Sequence, residues 1–100
     1  MKAALENAKL TLIFEESLTS TTVQRLRKQY LQALEEAGTV GAITADISQV
    51  AMIDSLGLNF IIGMYNDARR LGCAFQLSGA SPANKKLFEL VNLQEHVPMN

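Results

Sequence analysis

Three short apolar runs dominate the sequence: LTLIF at residues 10–14, VGAITADI at 40–47 and CAFQLSG at 73–79. Between them lie longer stretches whose apolar residues recur every three or four positions, the period of a helix with one buried face. Strands separated by helices pair through right-handed crossovers, so this order predicts an α/β fold with a small, mostly parallel sheet. The chain of 100 residues fits a single domain, 1–100, with one core. Folding at this length buries about two-thirds of the surface that the unfolded form exposes.

Along the first helical stretch Val23, Leu26, Tyr30, Leu34 and Ala37 fall on one face, opposite Arg25, Lys28, Gln32, Glu35 and Glu36. Thr21 with Gln24 three positions on resembles a capping box, and Gly38 sits where a helix ends in a left-handed residue. The basic group Arg25, Arg27 and Lys28 reads as a solvated face, since acids follow one and two turns later. Residues 40–47 are apolar on both parities until Asp46, as in a strand covered on both faces or lying centrally in a sheet.

A second helix follows Asp54, with Leu58, Ile61, Ile62, Tyr65 and Ala68 on one face and Arg69, Arg70 and Gly72 at its end. Ser81 and Pro82 open a third, with Leu87, Phe88 and Val91 inward. KAALEN at 2–7 fits a frayed helical turn or a short edge strand, and the end LQEHVPMN reads as loosely docked.

Nine basic and ten acidic side chains give a net charge of −1, too weak a field to recruit nucleic acid or anionic lipid. The single Cys73 forms no internal disulfide, and no Cys and His set at ligand spacing points to a metal. These features suit a reducing cytoplasm. Residues 1–12 lack the apolar centre of a signal peptide, and no run approaches the roughly 18 apolar residues that insert in a membrane. No phosphate-binding loop or dinucleotide fingerprint is present, and the only histidine, His96, lies far along the chain from every acid or nucleophile. His96 reads as a surface residue and Cys73 as a small buried one, so neither enzyme activity nor a cofactor is expected.

The stretch AMIDSLGLNFIIGM at 51–64 stands apart. In a parallel sheet, sites form where strands end and helices begin, and Asp46 and Asp54 both belong to that rim. Asp54 suits the N-cap of the second helix, with Ser55 just inside its first turn, while Gly57 allows close approach to a neighbouring strand.

In order and spacing, TADISQVAMIDSLGLNFIIGMYNDARRLGCAFQLSGAS resembles the STAS domain, the fold of bacterial anti-sigma factor antagonists. Asp46, Ile47 and Ser48 match its Asp-hydrophobic-Ser strand end. Ile53, Asp54, Ser55, Gly57 and Leu58 keep step with the motif that follows, a hydrophobic pair and then Asp-hydroxyl-hydroxyl-Gly-Leu. The similarity extends over roughly residues 8–93.

The resemblance implies a sheet of about four strands with helices mainly on one side, no cofactor, and binding of a protein partner such as a serine-kinase anti-sigma factor. It also implies a phosphate acceptor at the second hydroxyl position, which here is Leu56, a side chain with no oxygen. Ser55, one residue earlier, is the remaining candidate for phosphorylation, turned about 100° around the helix. The expected partner surface is Asp46, Ser48, Asp54, Ser55, Leu56 and Gly57. Two other roles fit the same fold: accessory subunit of a membrane transport system, and a sensor seating a nucleotide or other small anion at the helix start. Glu16 also departs from the family, which often has glycine near that place.

Overall fold

A computed structural model describes all 100 residues. The chain runs β1 (Lys2–Glu6), β2 (Lys9–Ile13), α1 (Val23–Ala37), β3 (Ala42–Asp46), α2 (Ser55–Leu71), β4 (Ala74–Ser78) and α3 (Pro82–Leu90), then a 3-10 turn at Leu93–Glu95. The sheet order is β1-β2-β3-β4. β1 is antiparallel to β2, while β2, β3 and β4 are parallel, giving a mixed but mostly parallel sheet.

Alternation along each parallel strand decides which face is covered. Leu10 and Leu12 of β2, Ile43 and Ala45 of β3, and Phe75 and Leu77 of β4 are buried beneath the helices. The intervening Thr11, Thr44 and Gln76 remain partly exposed on the other face. β3 is therefore central and open on one side; Ala42 and Thr44 are small enough to sit on a covered or an uncovered face, which is why both parities read as apolar.

From α1 come Leu26 and Tyr30, from α2 Phe60, Ile61, Met64 and Ala68, and from α3 Phe88, all packed into one core of 21 residues. Within it Phe60 stands edge-on to Phe14 and Tyr30 at centroid distances of 5.7 and 5.9 Å.

Of the two readings of residues 2–7 the edge strand holds, while other local expectations need correction. Residues 2–6 form an edge strand, joined to β2 by Asn7 and Ala8 at positive φ, the backbone that a two-residue hairpin requires. The Thr21–Gln24 capping box does not form. Instead α1 starts after Thr22, whose Oγ1 accepts the Thr19 amide at 3.0 Å and donates to the Ser17 carbonyl at 2.7 Å.

Val91 is not inward but about half exposed, because α3 ends at Leu90 and the chain turns at Asn92 in a left-handed conformation. The chain end is not loose: Leu93 and Val97 are buried. The Leu77 amide donates to the Pro98 carbonyl and the Asn100 amide to the Leu77 carbonyl, both at 2.9 Å, so residues 98–100 extend the sheet beyond β4.

Candidate functional site

At the carboxyl ends of the parallel strands, two loops are stitched together. One links β2 to α1, the other β3 to α2. Leu18 lies at the meeting point: its amide donates to the Met52 carbonyl at 2.9 Å and its carbonyl accepts the Asp54 amide at 3.1 Å. The Met52 amide in turn reaches Ser17 Oγ at 3.2 Å. From beneath, Asn84 of α3, a buried polar residue, donates through Nδ2 to the Val50 carbonyl at 3.0 Å. Val50 and Ile53 fill the core, which turns Ala51 and Met52 outward.

Asp54 caps α2. Its Oδ1 accepts the Gly57 amide at 2.9 Å, and its Oδ2 accepts the Ser20 amide at 2.8 Å from the other loop. The Gly57 amide first, and then that of Ser20, hold its carboxyl below the ordinary carboxylate range, so Asp54 is ionised at neutral pH. Gly57 is buried against Leu18, and a Cβ there would overlap the Leu18 carbonyl. Its lack of a side chain is what lets α2 begin so close to the β2–α1 loop.

The remaining predicted residues occupy distinct places. Asp46, half-buried at the end of β3, turns Oδ1 back onto the Ser48 amide at 2.9 Å. Ser48 is exposed and backs onto Gly79, whose φ of 80° and lack of a Cβ make room for it. Ser55 is exposed in the first turn of α2. Leu56 is 47% exposed and Met52 62%, so the residues two positions before and two after the ionised Asp54 both present apolar side chains to solvent. Gly57 serves the corner from within, through its amide.

Reading the sequence did not identify Met52, the Ser20 amide or the Ser17 hydroxyl. Nor did it find the groove of about 490 Å³ that runs from Ser55 along Ile62 and Tyr65 of α2, facing Val91 and the exposed His96. Arg69 lies over the Tyr65 ring at its far end, 5.7 Å from the centroid. Glu16 meets Arg25 in a two-pronged surface ion pair at 2.6 and 2.9 Å. Cys73 is half-buried and its thiol donates to the Val40 carbonyl at 2.9 Å. No cluster of three His, Cys, Asp or Glu side chains is placed to hold a metal ion.

Known proteins share this fold. Residues 1–99 match a family model described as Mlab, STAS domain. Among solved structures, TM1081 of Thermotoga maritima superposes with a TM-score of 0.88 at 19% identity, over 98% of this chain and 83% of its own. The anti-sigma factor antagonist SpoIIAA of Bacillus, in its unphosphorylated form, gives 0.79 at 17% identity over 99% and 86%. A sulfate transporter family protein from Wolinella succinogenes gives 0.76 at 18% over 92% and 73%. At these identities the structures carry the fold, whereas the family model carries membership: the chain belongs to the STAS domain family.

Proposed function

We propose that the protein is a non-enzymatic regulatory module that binds a signalling protein through the corner where β3 gives way to α2. The contact residues on this reading are Asp46, Ser48, Asp54, Ser55, Leu56 and Met52, with Gly57 setting the backbone beneath them. The observation that carries it is the exposure of Leu56 and Met52 around a carboxylate whose two oxygens are already held. A surface built this way offers fixed apolar knobs beside a fixed charge, the composition of a small interface centre rather than of a reacting group. SpoIIAA, with the same fold, is an anti-sigma factor antagonist, and a kinase or anti-sigma factor is the corresponding partner here.

Leu56 occupies the position that the family resemblance assigns to the phosphate acceptor. Binding is therefore constitutive, without the usual phosphorylation switch, and Ser55 is the residue at which a substitute switch would act. A phosphate on Ser55 would set nearly two negative charges beside Asp54 and expel an apolar or acidic partner.

The test is quantitative co-purification from the native cells. The Met52→Glu, Leu56→Glu double variant should lose a partner that wild type and Leu71→Glu both retain, Leu71 being an exposed leucine at the far end of α2. Equal recovery by all three chains would refute the reading. The Wolinella match supports a second reading, an accessory STAS subunit of a transport system. An ATPase or permease recovered as the corner-dependent partner would select it.

A further inference from the structure

The two outer edges of the sheet are treated differently. β4 is paired at its carboxyl end, where residues 98–100 bond to Leu77 and Gly79, whereas β1 is exposed along all five residues, with no strand on its outer side. Which backbone groups of β1 face outward follows from its neighbours. The Phe14 amide donates to the Asp46 carbonyl at 3.0 Å and the Ala42 amide to the Ala8 carbonyl at 3.3 Å, so even-numbered residues of β2 point toward β3. Lys9, Thr11 and Ile13 therefore bond to their register partners Glu6, Ala4 and Lys2. That leaves the N–H and C=O of Ala3 and Leu5 directed away from the sheet.

We propose that β1 pairs antiparallel with β1 of a second copy, about a two-fold axis at Ala4. In this register Ala3 exchanges both backbone bonds with Leu5 of the other copy, and Leu5 with its Ala3, using every outward group of the strand. Lys2 then stands opposite Glu6 of the other copy in a non-hydrogen-bonded pair, where side chains approach most closely, and symmetry makes two such pairs.

Charge favours this occupant. Glu6 makes no ion pair within its own chain, and Lys2, with its side chain 73% exposed, is ion-paired with Glu15 alone, at 3.5 Å. Ala3 and Leu5 are exposed on the helix side, so no helix overhangs the edge and a second strand has room. The two sheets become one of eight strands, with the two Asp54 corners at opposite ends, free for other partners. So small a contact gives a weak dimer, populated at high protein concentration.

Sedimentation equilibrium over a wide concentration range tests this. Wild type should associate to a dimer, and Lys2→Glu and Glu6→Lys should each weaken it about tenfold by placing like charges opposite one another. An equimolar mixture of the two variants should recover the wild-type affinity, because each copy supplies the charge that the other lacks. In a Cys73→Ser background, Ala4→Cys should oxidise to an intermolecular disulfide while Thr11→Cys, one strand inward, should not. Unchanged melting temperatures exclude misfolding of these exposed-site variants. Wild type that stays monomeric at millimolar concentration, a mixture no tighter than either variant alone, or a dimer indifferent to both charge reversals would each overturn the proposal.

Discussion

The backbone amide of Ser20 donates to Oδ2 of Asp54 at 2.8 Å, joining residues 34 positions apart. With Gly57 on the other oxygen, one carboxylate both starts α2 and ties it to the loop that leads into α1. The corner proposed to bind a partner is thus fixed before any partner arrives, which lowers the ordering cost of association.

Alanine at position 54 removes both bonds, while asparagine keeps one accepting oxygen. Melting temperature at neutral pH should fall in the order Asp, Asn, Ala. Because the folded carboxyl lies below its ordinary value of 3.8, its contribution is complete above that value and is lost as pH falls through the folded one. The gap between wild type and Asp54→Ala should hold from neutral pH to about 5 and close at lower pH; a gap undiminished at about pH 2 would contradict the assignment.

Two glycines of α2 separate close approach from simple helix propensity. Gly57→Ala forces a methyl into the Leu18 carbonyl and should cost about 3 kcal/mol in urea denaturation. At Gly63 the nearest atom to a new Cβ is in the Arg27 guanidinium at 3.7 Å, so alanine there should be neutral or stabilise by up to about 1 kcal/mol.

Between α1 and α2 the buried Tyr30 hydroxyl donates to Asp67 Oδ2 at 2.9 Å, and Arg70 holds the other oxygen at 2.9 Å. Tyr30→Phe should lose about 1.5 kcal/mol, the worth of a hydrogen bond to a charged acceptor. Burial first, then the bond to Asp67, raises the phenol well above its ordinary value of 10.0. The native state thus keeps a proton that the unfolded chain releases, and stability falls as pH rises above about 10. That fall should be shallower in Tyr30→Phe, and parallel alkaline unfolding curves would refute it.

The architecture was largely legible in the sequence, because three apolar runs and three helical periods leave few ways to bury their faces. Asp54 and Gly57 were legible too, as cap and close-approach residues, since both roles are local. What escaped depended on distant partners. Nothing near Ser20 in the sequence announces that its amide will meet a carboxylate, and nothing in VPMN reveals a segment that will lie along β4. Val91 kept the helical period, yet α3 stops one residue before it. Exposure at Met52 emerges only once Val50 and Ile53 have taken the inward places.

The most direct measurement is photo-cross-linking in the native cells, with benzoylphenylalanine at position 56 compared with position 71, both now exposed leucines. A protein adduct formed at 56 and absent at 71 is the predicted result. No adduct at 56, or the same adducts at both positions, would contradict docking through the Asp54 corner.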